Sequence, residues 1–119
     1  MVDPIVIKII AEVEFTEIVK STIFLEFKLR IILIDDSFID VNISQKINDK
    51  FSFHWDLQDE ESTIYRYDNY PDASWQNVET YPYHFHYEKQ NNLISSPFPK
   101  EISKGFRAFM EFVWDKISN

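Results

Sequence analysis

Apolar residues recur at every second position between Thr22 and Ile34. Ile23, Leu25, Phe27, Leu29, Ile31 and Leu33 fall on one face, and Phe24, Glu26, Lys28, Arg30, Ile32 and Ile34 on the other. That alternation predicts one long, half-buried strand. Asp35-Asp36-Ser37 then reads as a turn. A three-residue loop sets Leu33 opposite Ile39, Ile31 opposite Val41 and Leu29 opposite Ile43. A two-residue loop would oppose Ile31 with Asp40, so parity selects three.

Two more strands follow. Phe51, Phe53, Trp55 and Leu57 alternate with Ser52, His54 and Asp56. Thr63, Tyr65 and Tyr67 alternate with Ile64, Arg66 and Asp68. With Gln58 to Ser62 as the hairpin loop, a symmetric ladder pairs Trp55 with Tyr65, His54 with Arg66 and Ser52 with Asp68. The aromatic face then packs on the core and leaves His54, Arg66 and Asp68 together on the other face. Residues 69–79 read as irregular, marked by Asn69, Pro71 and Asp72. Residues 81–87, if extended, send His84 and His86 one way and Tyr83, Phe85 and Tyr87 the other.

The two ends of the chain read as helices. Asp3-Pro4 supplies an N-cap and a proline at the first helical position, and Ile5, Ile9 and Val13 share a helical face. The β-branched content makes a strand the competing assignment there. After Pro97 and Pro99, the residues Ile102, Phe106, Phe109, Met110, Val113 and Ile117 form a broad apolar stripe, with Lys104, Arg107, Glu111 and Asp115 outside it. The expected fold is a single α+β domain over residues 1–119. It has an antiparallel sheet of about five strands and N- and C-terminal helices packed on one face.

Composition narrows the chemistry. The 119 residues contain no cysteine, so disulfides and thiolate chemistry are excluded, and the cytosol is the expected compartment. The N-terminal apolar run meets Glu12, Glu14 and Glu17 too early for a signal peptide, and no stretch is long enough for a membrane span. The net charge of −8 disfavours an indiscriminate nucleic-acid binder, whose affinity comes from Lys and Arg on phosphates. Residues 51–90 hold eight acids against two bases, so an acidic surface that docks a basic protein partner is a further reading.

Three histidines carry the chemistry expected near neutral pH. RNA cleavage by its own 2′-hydroxyl needs a base, an acid and a cation for the developing phosphorane charge. His54 with His84 or His86 would supply the first two, and Arg66 the third, without a metal. Asp68 would orient a histidine. Two other readings stand beside this one. A His opposite an Arg on an exposed strand is commonly a solvated pair. The His84-x-His86 pair with Asp68 also has the composition of a zinc or manganese site. Tyr70, Trp75 and Tyr81 are candidates for base stacking.

Phe53-His54-Trp55-Asp56 followed by Ile64-Tyr65-Arg66-Tyr67-Asp68-Asn69, with Thr80-Tyr81-Pro82, His84 and His86 downstream, resembles the signatures of the TumE toxins. The resemblance implies the toxin of a two-gene bacterial or archaeal module. Its partner would be a small helix-turn-helix antitoxin. The residue types make RNA a candidate substrate, and a homodimer is a candidate state. It also implies site positions at His54, Arg66, Asp68, His84 and His86, with Trp55 and Asn69 touching substrate. Two departures remove possible ligands. The chain reads Tyr70-Pro71-Asp72-Ala73 where the family tends to read Ala-Pro-His-His. Tyr83 and Phe85 stand where the family tends to have a histidine and a basic residue.

Overall fold

The computed structural model describes residues 2–70 and 78–119. Its described residues form α1 (Pro4–Glu14), β1 (Val19–Leu25), β2 (Lys28–Leu33), β3 (Phe38–Ile43), β4 (Phe51–Asp56), β5 (Ile64–Asp68), β6 (His84–Glu88), β7 (Leu93–Ser95) and α2 (Ile102–Ser118). The strands form one antiparallel meander in chain order, and the two helices lie on one side of it. The α+β class and the covering helices agree with expectation. The sheet has seven strands rather than five.

One extra strand comes from a break in the long strand expected over residues 22–34. Glu26-Phe27 is a two-residue turn, and Leu25 pairs with Lys28, Phe24 with Leu29 and Ile23 with Arg30. Neither turn residue has a positive φ, and neither is the Gly, Asn or Asp that usually marks a two-residue hairpin. The turn also reverses the expected face. Phe24, not Ile23 or Leu25, shares the core side with Leu29, because a two-residue loop pairs odd with even positions. The other extra strand, β7, is too short for alternation to reveal it.

The next hairpin keeps the expected parity but shifts by two residues. Leu29 pairs with Val41 and Ile31 with Ile39. The loop is Ile34-Asp35-Asp36, closed by the Leu33 N–H on the Ser37 carbonyl. Asp36 has φ 69°, and the Asp35 carboxylate accepts the Ser37 N–H at 3.0 Å. These contacts give the turn its left-handed residue and its side-chain anchor.

Asp3 caps α1, accepting the Ile5 N–H at 2.9 Å, with Pro4 at the first helical position. Its core face is Ile7, Ile10 and Ala11. The stripe of Ile5, Ile9 and Val13 faces outward, because this helix is apolar on two sides and periodicity does not rank them. In α2 the core face is Ile102, Phe106, Phe109, Met110 and Val113, as the stripe predicts. Phe53, Trp55, Tyr65 and Phe85 meet Phe106, Phe109 and Phe112 edge-on or tilted. The chain's one glycine, Gly105, is required where α2 approaches β5. A Cβ there would lie 2.6 Å from the Pro99 carbonyl, which also accepts the Tyr67 hydroxyl at 2.8 Å. No helix of the described residues is long and apolar enough to cross a membrane.

Candidate functional site

With aromatic rings turned toward α2, the alternate residues of β3–β6 stand on the side the helices leave uncovered. Cross-strand pairing lines them into rows. Arg30, Asp40, His54, Arg66 and His86 form one continuous row across β2–β6. Ser52, Asp68 and His84 form the next. The expected pairs His54–Arg66 and Ser52–Asp68 are present. β6 adds His86 beside Arg66 and His84 beside Asp68.

Asp68 is the hub. Only 2% of it is exposed, and its Oδ2 accepts from Arg66 Nε at 2.8 Å and faces His86 Nε2 at 3.1 Å. Its Oδ1 accepts the Tyr70 N–H at 3.0 Å and lies 3.6 Å from His84 Nδ1. Burial by itself would raise its pKa. The bond from His86, the Tyr70 N–H and the Arg66 charge outweigh burial and hold the carboxyl below its usual range.

His86 has its other nitrogen 2.7 Å from the Gln90 carbonyl oxygen. Both neighbours are acceptors, so both contacts are hydrogen bonds only when the ring carries two protons. His84 is buried, and its Nε2 has no hydrogen-bond partner among the described residues. His54 is half-buried, and its pKa lies below the ordinary histidine value. Burial is the main cause, and repulsion from Arg66 adds to it. Asp40 faces Lys28 at 2.8 Å and Arg30 at 2.8 Å, which closes the row on the β2 side with a satisfied ion cluster.

The accessible groups are therefore His54 and Arg66, while Asp68, His84 and His86 lie beneath them. Arg66 donates only through Nε among the described residues, so its terminal nitrogens remain available for an anion. The Trp55 ring, expected to touch substrate, is on the helix side and 1% exposed, with its indole N–H on Ser37 Oγ at 2.9 Å. Asn69 ties the start of β4 to the preceding loop. It accepts the Phe51 N–H at 2.9 Å and donates to the Asp49 carbonyl at 2.6 Å. Trp75 and the Pro71-Asp72-Ala73 departure lie outside the described residues.

Sequence reasoning did not find the Gln90 carbonyl, a backbone group with no side-chain signature. It also missed the Asp40 cluster, because the pattern gives no pairing of β3 with β4; in the structure Asp40 lies opposite His54. Among the described residues, no three His, Asp or Glu side chains are arranged to hold a metal ion. A cleft of about 550 Å³ lies off the histidine row, running from the β1–β2 turn to Tyr70. The Tyr70 ring carries Lys50 at 4.4 Å and Arg66 at 5.5 Å.

The family model described as Toxin TumE matches residues 6–117, nearly the whole chain and every strand and helix core described above. The chain belongs to the TumE toxin family. As a TumE toxin it has a cognate antitoxin partner and is one component of a toxin–antitoxin module. No curated protein and no solved structure gives a significant match. The TumE match begins at Val6 in α1 and ends at Ile117 in α2, so both helices belong to the family's fold and are not additions to it.

Proposed function

We propose that this TumE toxin is an endoribonuclease that cleaves RNA without a metal in the cytoplasm, held inactive by an antitoxin with a helix-turn-helix domain. One observation carries the reading. Arg66 stands in strand register between His54 and His86, with one imidazole on either side. Neighbouring strands lie about 4.8 Å apart, so the two histidine backbones flank roughly 10 Å of surface centred on the guanidinium. In-line displacement at phosphorus needs a base and an acid on opposite sides of the phosphate.

His54, kept neutral by burial and by Arg66, takes the proton from the 2′-hydroxyl. The 2′-oxygen forms its bond to phosphorus as the bond to the 5′-oxygen breaks. To pass a ring proton to the leaving 5′-oxygen, giving a 2′,3′-cyclic phosphate and a 5′-hydroxyl, His86 turns out from beneath Arg66 and gives up its contact with Asp68 or with the Gln90 carbonyl. The terminal nitrogens of Arg66 meet the phosphorane charge. Asp68 positions both Arg66 and His86.

The test is antitoxin-free protein incubated with RNA in a chelating buffer. The expected products carry cyclic phosphate ends, and His54→Ala and Arg66→Ala abolish both cleavage and growth arrest on expression. RNA left intact with and without divalent metals would overturn the reading. Cleavage that appears only with added metal would overturn its metal-independent chemistry.

A further inference from the structure

The two edges of the sheet are defended unequally. Exposed edge strands present unpaired backbone N–H and C=O groups, and proteins blunt them with shortness, charge, proline or bulges. β7 is three residues long and is followed within two residues by Pro97. β1 is seven residues long, has no proline and carries one charge, Lys20, at its bulged end. Its regular stretch from Ser21 to Leu25 shows apolar side chains on both sides, with Ile23 and Phe24 about half exposed.

We propose that β1 is a self-association edge, pairing antiparallel with β1 of a second copy across a two-fold axis at Ile23. A two-fold contact must be self-complementary. Between Val19 and Phe27 the charged residues are Lys20 and Glu26, and Ile23 is their midpoint. This register sets Lys20, whose ammonium also bonds Asp36 of its own chain at 2.8 Å, opposite the second copy's Glu26 at both ends. It also sets Ser21 opposite Leu25, Thr22 opposite Phe24, and Ile23 opposite itself. Moving the axis to Thr22 would put Lys20 against Phe24 and forfeit both ion pairs. Pairing covers the half-exposed Ile23 and Phe24 and satisfies edge backbone groups that have no partner among the described residues. An unrelated strand would offer the same backbone bonds, but not this symmetry of charge.

The cysteine-free chain makes the register directly measurable. Directly opposed residues in an antiparallel pair have Cα atoms about 4.5–5.5 Å apart, within disulfide range. Purified full-length Ile23→Cys should form a disulfide dimer on mild oxidation. Ser21→Cys and Leu25→Cys should each fail alone, since four positions offset the thiols by roughly 13 Å. A mixture of the two should cross-link. Sedimentation should give a wild-type dimer of twice 14.3 kDa. Ile23→Lys, with two ammonium groups brought face to face, should give a monomer with an unchanged circular dichroism spectrum.

Wild-type monomer at all concentrations would overturn the proposal, and so would Ser21→Cys cross-linking as readily as Ile23→Cys. A wild-type chain that is monomeric alone and captures a co-expressed antitoxin, with Ile23→Lys losing that capture, would assign the edge to the antitoxin and also overturns the proposal. None of these outcomes bears on RNA cleavage.

Discussion

From β4 to β6 each strand turns aromatic rings toward α2 and polar groups away from it, whereas β1 carries apolar side chains on both sides. In β4–β6 a one-residue slip would drive His54, Arg66 and Asp68 into the core, so register is strongly determined. In β1 a slip exchanges one apolar residue for another, and register there rests on the Glu26-Phe27 turn and on pairing with β2. The first region spends its polar groups on a buried network with a single hub. The second leaves hydrophobic surface at an edge. The difference is between a part of the sheet whose register is held by a buried polar network and a part whose edge is apolar on both sides.

The sharpest way to break that comparison is to remove the hub. Asp68→Ala leaves Arg66 and the buried His86 without their carboxylate, and breaking such a pair costs about 3–5 kcal/mol. Urea unfolding should show a loss of that size. Glu14→Ala, which breaks the exposed pair with Arg107, should leave the midpoint nearly unchanged. Because the folded pKa of Asp68 is depressed, its ionised form stabilises the fold above the ordinary carboxylate range. That contribution is lost as pH falls through the folded value. Asp68→Asn should therefore flatten the acid limb of stability against pH. Equal losses in the Asp68 and Glu14 variants would show that the network is not the structural centre of this half.

The second test concerns α1, whose two apolar sides look alike in sequence. Ile7→Ala should cost about 2–5 kcal/mol, since Ile7 is fully buried. Ile9, 53% exposed, should change stability by no more than about 0.5 kcal/mol when replaced by Ala. The reverse ranking in thermal or urea unfolding would place the core on the Ile5–Ile9–Val13 stripe after all.

The same contrast explains what could be read beforehand. Strand parity placed His54, Arg66 and Asp68 on one face and paired Trp55 with Tyr65, because polar and aromatic residues alternate there without a break. It also gave α2 its core face. It failed at Glu26-Phe27, where alternation runs straight through a turn with no glycine, asparagine or proline to mark it. In α1 it singled out the stripe of Ile5, Ile9 and Val13, which faces outward, because hydrophobicity alone does not distinguish a face that meets the sheet from one that does not. The TumE signatures were legible because most of their residues lie in β4, β5 and β6, with Asn69 and Thr80-Tyr81-Pro82 in the connections. How deeply Asp68 and His84 are buried depends on the neighbouring strands, which no local pattern encodes.

Trp55 offers a smaller test, because it separates core from site on a single strand. Its neighbour His54 faces the open side, while Trp55 stacks on Tyr65 and bonds Ser37 on the helix side. Trp55→Phe removes one buried hydrogen bond and some volume and should cost about 1–3 kcal/mol. RNA cleavage measured on the folded fraction should be unchanged. A large loss of cleavage at normal stability would show that the indole reaches substrate, and the division between the two faces would fail.

The smallest effect is the most informative about the proposed chemistry. His54 titrates below the ordinary histidine value because it is half-buried and because Arg66 stands beside it. Arg66→Gln removes the charge but leaves burial in place, so the ring should titrate at higher pH while remaining depressed. Arg66→Lys keeps the charge and should leave the titration near wild type, although it loses the two-pronged grip on phosphate. Nuclear magnetic resonance of the His54 ring protons reads both variants directly, even where cleavage is abolished. An unchanged or lower value in Arg66→Gln would mean that the guanidinium does not keep His54 neutral. Arg66 would then be reduced to binding phosphate, and the base would owe its state to burial alone.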